Sequence, residues 1–346
     1  MSNTTALEEL AARRKKAIAM GGAERIDRQR KRGKLTVRKR IALLVDQGTF
    51  QEYGQLASHA SGSLQSVDEI TPADGVVFGF GTIDDRTVCV VAEDFTIQGG
   101  SAGLIHLEKK TRAVEMATRE RVPLLWLLDG AGARAQEMIG EGLPAGPRYL
   151  SIARHSGVAP QVAIIMGPCA GDSALIGSEC EFVIMVDGTG MLAAGGPPVV
   201  LAATGQKITK AELGGAEVHC RISDVADNAA TSDEDTIAMA RRYLSYLPHN
   251  AWEYPPRVPT SDPADRSDDD MLQVVPDDPR HPYDMKELIR RIADRESVLE
   301  IKPEHAETII TAFARMAGHT VGIIANQPMV LAGAINAQAA RKARHS

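Results

Sequence analysis

The sequence predicts an α/β fold in which buried strands alternate with helices, and three observations carry that expectation. Segment 75–97 (GVVFGFGTIDDRTVCVVAEDFTI) holds two Val/Phe/Ile-rich runs around Asp84-Asp85, the signature of a hairpin. Three further runs, 123–128 (PLLWLL), 162–166 (VAIIM) and 182–186 (FVIMV), are apolar throughout, as strands covered on both faces are. The first two of these run into Gly-rich corners, with helix-like segments beyond. The order is strand–strand–helix, strand–loop–helix, strand–loop–helix, the rhythm of a ββα superhelix. No G-x-G-x-x-G follows the first strand and no P-loop is present, which sets the chain apart from dinucleotide folds.

The elements follow in order. Helices are expected over 5–20, with Leu7, Leu10, Ala11, Ala17 and Ile18 on one side, and over 35–46 with Thr36 as N-cap. A long helix is expected over 101–120, and others over 147–156, 233–247 and 284–293. These divide the chain into a basic helical arm (1–40), a first domain (41–255), a Pro/Asp-rich linker (256–282) and the start of a second domain (283–346). FARMAGHTVGIIA, within a second hairpin-like run at 314–332, matches FGTIDDRTVCVVA in the first hairpin. The second domain therefore reads as the opening of a second copy, cut short.

Composition narrows the function classes. The 346 residues are 44% hydrophobic and 24% charged but only 4% aromatic, so the core is aliphatic. The net charge of −6 divides into +9 over residues 1–40 and −15 over the remainder. The basic head is either a solvated helical arm or a surface for anionic ligands. An acidic remainder without a matching motif argues against nucleic acid. Cys89, Cys169, Cys180 and Cys220 form no C-x-x-C pair, and no metal site or disulfide framework is expected. No apolar run reaches a membrane span, and the N-terminus lacks a signal-peptide core, so a cytoplasmic protein is expected.

The chemistry points to backbone. Asp129-Gly130-Ala131-Gly132-Ala133-Arg134 and Gly167-Pro168-Cys169-Ala170-Gly171-Asp172 follow consecutive strands. Small residues admit a ligand close to the chain, and N–H groups at a helix start favour negative charge. Two such corners side by side suit one oxygen carrying developing charge; tight turns alone are the competing reading. Side-chain catalysts are weaker. Ser173 is in no nucleophile elbow, Cys169 reads as a small hydrophobe, and His155 and His219 are isolated. Glu137 and Glu141 lie near the first corner, and Arg134 also suits internal ion pairs.

Taken together, KRGKLTVRKRIALLVDQGTF at 31–50, FTIQGGSAG, DGAGARAQE, IIMGPCAGD, ELGGAEVHC at 212–220, PYDMKELI and GIIANQPM resemble, in order, the carboxyltransferase (β) subunit of biotin-dependent acyl-CoA carboxylases. The resemblance lies with the propionyl-CoA and methylcrotonyl-CoA carboxylase group and covers almost the whole chain. It implies a crotonase-like fold, complete in the first domain and begun in the second. It implies transfer of a carboxyl group from carboxybiotin to the α-carbon of a short or branched acyl-CoA, through an enolate held in an oxyanion hole. The resemblance places that hole at the backbone of Gly171 and Asp172. Gly130, Ala131, Gly132, Ala133 and Arg134, with Ala170, would wall the thioester and CoA. Arg30, Lys31, Arg32 and Lys34 are candidates for the CoA phosphates. Biotin is expected on a partner, a biotin carboxylase or carrier subunit, because no A-M-K-M site is present. A homo-oligomer is also implied, dimer-based and hexameric in full-length relatives.

Two departures qualify this. Many relatives carry Gly where this chain has Asp172, and a carboxylate there would repel an enolate unless it caps the following helix. The resemblance also implies that most of the second domain is absent here, and that the family builds its site from the first domain of one protomer and the second of its neighbour. The isolated chain is therefore expected to show little carboxyltransferase activity. The alternatives are a biotin-dependent decarboxylase of a malonyl-type CoA and a non-catalytic CoA-binding or assembly fragment. A crotonase-type hydratase is weaker, for want of a placed carboxylate pair.

Overall fold

The computed structural model describes residues 3–58, 72–134, 137, 148–263, 265–267, 269–278 and 280–345. Glu141 and the Ala135-Gln136 end of the first corner lie outside them. Helices α1 (Asn3–Ile18), α2 (Ala23–Arg30) and α3 (Val37–Leu44) lead into strand β1 (Gln51–Tyr53). A hairpin follows, β2 (Val76–Ile83) and β3 (Arg86–Glu93). Asp84 and Asp85 turn it at positive φ (49° and 63°), the geometry two-residue hairpins prefer. Next come α4 (Leu104–Glu120), β4 (Leu124–Gly130), α5 (Arg148–His155), β5 (Gln161–Ala170), α6 (Asp172–Ser178) and β6 (Phe182–Val186). Then β7 (Met191–Ala193), α7 (Pro197–Thr204), α8 (Lys210–Gly214), β8 (Asn228–Ala230) and α9 (Asp233–Leu244) complete the first unit.

The main sheet has the order β1-β2-β3-β4-β5-β6-β8, with β7 paired to the end of β5. It is antiparallel through β3 and parallel from β3 onward. Its strands are apolar on both faces because both faces are covered. Leu125, Leu127, Val162, Ile164, Phe182 and Ile184 pack on α3 and α9. Trp126, Leu128, Ala163, Ile165 and Val183 pack on the opposite face, against α4 and α5. Thr36 caps α3 by accepting from Lys39 N–H. Because α3 buries Val37, Ile41 and Leu44, the expected boundary at 40/41 cuts through a core helix. The basic arm is thus docked from its third helix onward.

The expected linker contains a single helical turn, α10 (Met271–Val274), and leads to α11 (Met285–Ile292). Its Pro/Asp composition gives extended backbone, as expected, yet that backbone is held. Val258 N–H donates to Gly318 O (3.0 Å), and the Arg266 guanidinium donates to the carbonyls of Arg291 and Ala293. A second sheet follows, β11-β10-β9, built from β9 (Leu299–Ile301), β10 (Ile309–Met316) and β11 (His319–Asn326), and the chain closes in α12 (Ala337–His345). Leu299 and Ile301 join the main core, and Phe313 stacks on Tyr246 at 5.8 Å.

The second copy is real and its register is strict. Val76–Ile83, Arg86–Glu93 and the 3-10 turn Gln98–Gly100 recur 233 residues later as Ile309–Met316, His319–Asn326 and Leu331–Gly333. The hairpin turn recurs as Ala317-Gly318, again at positive φ (50° and 80°). The second hairpin begins at Ile309, ahead of the expected 314, because Ile309–Phe313 pairs fully with β11. One buried lysine repeats as well. Lys109 donates to the carbonyls of Ala73 and Val76, and Lys342, at the same offset, to those of His305 and Ile309. Each ammonium ties a helix to the start of the strand beneath it.

The deepest charges sit at the C-terminal edge of the parallel sheet. Asp129, at the end of β4, accepts from Lys34 Nζ (2.6 Å) and from Arg40 (2.8 Å), while Arg40 Nε donates to Asp233 (2.8 Å). Arg40 and Asp129 are fully buried. Burial works against the Arg40 charge, but Asp129 and Asp233 outweigh it and raise its pKa.

These buried cations lend themselves to two tests. Arg40→Met takes the guanidinium from two buried carboxylates, leaving Asp129 to Lys34 and Asp233 to the Leu35 N–H, and is expected to lower the unfolding free energy by roughly 3–5 kcal/mol in urea titration; an unchanged midpoint would show the cluster to be structurally idle. Burial pushes Lys109 and Lys342 down from 10.5 to about 8. Between these values the unfolded chain binds protons that the folded chain does not, so their contribution to stability rises with pH across that window. Lys109→Met should flatten the measured stability–pH slope there, and an unchanged slope would rule the linkage out.

Candidate active site

The two Gly-rich corners meet. A Cβ placed on Gly132 (φ 92°) would stand 3.3 Å from Ala170 O, so only glycine serves where the first corner crosses the second. The segment 98–102 zips onto the first corner through Ala131 N–H to Gly99 O (3.0 Å), Ala102 N–H to Gly132 O (2.8 Å) and Arg134 N–H to Ala102 O (2.8 Å). Beneath the second corner a Cβ on Gly167 would overlap Asp129 Oδ1 and Lys34 Nζ. That glycine lets the buried ion pair lie directly under the end of β5. Gly130, Ala170 and the backbone at Ala102 are buried, while Ala131 is exposed beside them.

Gly171 is corrected as an N–H donor to substrate. It leaves β5 at φ 56°, and its amide is held by the carbonyls of Ala193 (3.2 Å) and Ala194 (3.1 Å), where β7 runs beside the end of β5. The N–H groups without internal acceptors are those of the first turn of α6, from Asp172 onward. Asp172 does not cap that helix: Gly171 is the N-cap and Asp172 the first helical residue. Its carboxylate instead meets Lys110 Nζ (3.1 Å) and accepts from the Tyr149 hydroxyl (3.0 Å).

Glu93, at the end of β3, lies under both corners. It accepts from Asp129 N–H (2.7 Å), Ser173 Oγ (2.6 Å) and Lys110 Nζ (2.5 Å). Burial alone would raise its pKa, but Lys110 and His106 hold it well below the carboxylate range. Burial works against the Lys110 charge too, yet Glu93 and Asp172 keep its pKa raised. His106 is driven down by burial and by Lys110. Ser173 is thus a tether, in keeping with the absence of a nucleophile elbow. Cys169 is buried in the apolar core, and burial pushes its thiol pKa well up.

The other expected side chains divide. Arg134 is buried, donating to Asp74, Glu137 and the Ser101 carbonyl, so its internal-pair reading holds. Glu137 also accepts from Leu104 N–H, closing the start of α4. Lys34 is a buried partner of Asp129, with its pKa lowered by burial. His155 hydrogen-bonds Thr118, and burial lowers it to about 4. His219 bonds Ser223 and the Leu192 carbonyl.

A cavity of about 360 Å³ opens beside the first corner, lined by Arg25, Arg28, Arg32, Lys34, Phe95 and Gln98. Gly99 also lines it and touches Ala131, which joins cavity and corner. Arg32 is among the lining residues. Arg30 and Lys31 are exposed and are not among its lining residues; on α2 it is Arg25 and Arg28, also exposed, that line it. Sequence reasoning missed these two arginines and the Glu93–Lys110 pair. Charged residues at the ends of otherwise apolar strands, Glu93 and Asp129, were the available signal, since buried charges demand partners. Among the described residues no cluster is placed to hold a metal ion, and no helix is long and apolar enough to cross a membrane.

Residues 28–346 match the carboxyl transferase domain. The propionyl-CoA carboxylase beta chain of Roseobacter denitrificans is 42% identical over 97% of this chain and 66% of its own length. The methylmalonyl-CoA decarboxylase subunit alpha of Veillonella parvula is 38% identical over the same shares, 97% and 66%. The chain thus spans about two thirds of these curated relatives. Among solved structures, transcarboxylase 12S with methylmalonyl-CoA and methylmalonic acid bound superposes with a TM-score of 0.93 at 36% identity. That match covers 100% of this chain and 67% of the other. A single-chain, multi-domain long-chain acyl-CoA carboxylase superposes at 0.88, with 28% identity over 98% of this chain and 34% of that one. The fold is therefore the crotonase-like fold of these enzymes, and the chain belongs to the carboxyl transferase domain family.

Proposed function

We propose that this chain is the acyl-CoA-binding part of a biotin-dependent carboxyltransferase. The observation that carries the reading is the continuity of three features: a basic cavity, the Gly99–Ala131 contact, and the crossing of the two corners at Gly132 and Ala170. The CoA phosphates lie against Arg25, Arg28 and Arg32, and the pantetheine passes the wall formed by Ala131, Gly132 and Ala133. The thioester oxygen meets the first-turn amides of α6 at Asp172 and beyond. Preorganised amides of this kind stabilise negative charge as it develops and need no side-chain acid or base; losing one donor raises a barrier by roughly 3–4 kcal/mol.

The α7 helix follows Ala193 and Ala194 and leaves Val199 and Leu201 exposed, with no residue buried. That apolar wall beside the second corner suits the uncharged rings of biotin and the surface of a neighbouring subunit. Biotin, carried in carboxylated form by a partner subunit, supplies the carboxyl group. A homo-oligomer in which a second protomer covers α7 fits the same feature, and the homologous transcarboxylase 12S is described as a hexamer. The decarboxylase reading remains beside it on one observation, the 38% identity with a methylmalonyl-CoA decarboxylase subunit. Both readings use the same corner.

Calorimetric titration with CoA and propionyl-CoA tests this directly. Arg25→Glu combined with Arg32→Glu should weaken CoA binding at least about tenfold, and wild-type affinity should fall with added salt. Arg30→Glu with Lys31→Glu should remain near wild type. Equal affinity in the first double variant would remove the cavity from the site.

A further inference from the structure

The first helix stands away from the body that follows it. Among the residues of α1 whose burial is described, only Ala17 is buried, while Leu7 and Ile18 are 66% and 53% exposed. The helix is tied down at its C-terminal end, where Arg38 donates to Ala17 O (3.3 Å). Helices of this length draw most of their stability from an apolar face packed on something else. In α1 such a face is present and lies open among the described residues. Thr4, Leu7, Ala11, Arg14 and Ile18 recur at spacings of three, four, three and four, the pattern of a helix-pairing seam. Leu7, Leu10, Ala11, Arg14, Lys15 and Ile18 line a groove of about 460 Å³ along this side.

Charge indicates what covers it. The first half of α1 carries Glu8 and Glu9, and the second half carries Arg13, Arg14, Lys15 and Lys16. Arg13 and Glu9 pair with each other (2.5 Å), on the side of the helix away from the seam. Glu8 and Lys15, seven residues apart, flank the seam on one side. A parallel copy of the helix would set Glu8 against Glu8 and Lys15 against Lys15. An antiparallel copy sets Glu8 against the partner's Lys15, and two-fold symmetry supplies the reverse pair. The same arrangement brings Leu7 to the partner's Ile18, and the small side chain of Ala11 leaves room for the aliphatic stem of the partner's Arg14. We propose that α1 is a docking helix for a second copy of this chain, paired antiparallel along this seam. A uniformly acidic partner would answer Lys15 but repel Glu8, and an apolar one would desolvate both. The inference goes beyond the carboxyltransferase reading and needs neither the corners nor the α7 wall.

Cross-linking of the full chain tests it. The background carries Cys180→Ser, because Cys89, Cys169 and Cys220 are buried. Leu7→Cys with Ile18→Cys places two thiols roughly 16 Å apart along one helix, too far to join within a chain. Mild oxidation should therefore give a disulfide-linked dimer as the main product. Glu9→Cys with Lys16→Cys, on the far side, should give at most about a tenth as much. In the Leu7→Cys/Ile18→Cys chain, adding Glu8→Lys should slow linking at least about threefold, and adding Lys15→Glu as well should restore the rate. Every position changed on α1 is exposed, so the core is untouched. Absence of a linked dimer, equal linking from the far-side pair, or a double charge swap that stays slow would each overturn the proposal. A chain that sediments as a dimer yet does not link through positions 7 and 18 associates by another face, which overturns it too. CoA binding is measured separately, so failure here leaves the functional reading in place.

Discussion

The ion pairs of Asp129 govern how the two corners can meet. A carboxylate at zero exposure is sustainable only when its partners reach it fully paired, and Asp129 draws Lys34 and Arg40 from the N-terminal helices to the far end of β4. That demand explains several separate features. Gly167 has no side chain because the Asp129–Lys34 pair fills the space, α3 packs into the core because Arg40 must enter it, and Asp233 anchors the start of α9 to the same arginine. A cluster so placed fixes three segments distant in sequence onto one strand end.

The internal repeat separates scaffold from site within a single molecule. What both copies share is apolar hairpin pairing, positive-φ turns and one buried lysine bonded to carbonyls. Such features satisfy backbone groups and bury area, and they are what any ββα unit needs. What marks the first copy is charge. Asp74 is buried and bonds His106 N–H and Arg134, whereas its counterpart Glu307 is exposed and His106 is matched by Ala339. Buried charge is costly, so its concentration in one copy marks where geometry matters beyond folding.

The fold was legible in the sequence where hydrophobic period decides it. The hairpin at Asp84-Asp85, the three buried strands and the register of the second copy all follow from apolar runs and turn residues. Short elements were not legible: β1, β7 and the π-turn Glu217–Ile222 exist through tertiary pairing or packing, and three to six residues carry too little pattern. The site was legible as two glycine corners, because small residues after buried strands are a local signal. Which amides remain open at those corners was not. Gly171 loses its N–H to the end of β7, a strand formed only after α6 and β6 have intervened, and no local rule foresees that pairing. Arg25 and Arg28 were hidden for a related reason: a run of basic residues does not say which side of its helix turns inward.

A site made of amides has a difficulty that a site made of side chains avoids. Amides attract negative charge from every source, including the protein's own carboxylates, and the helix start that serves a substrate oxygen also favours Asp at its first position. Where that acid is present, the field at the corner depends on what stands behind it. Here Lys110 approaches from α4 on the inner side, and the Tyr149 hydroxyl donates from α5. The carboxylate is held between the two elements that cover this face of the sheet, and its charge is taken up by them. An acid at such a helix start can therefore be drawn off its own turn by partners on the neighbouring elements, one of them a buried lysine.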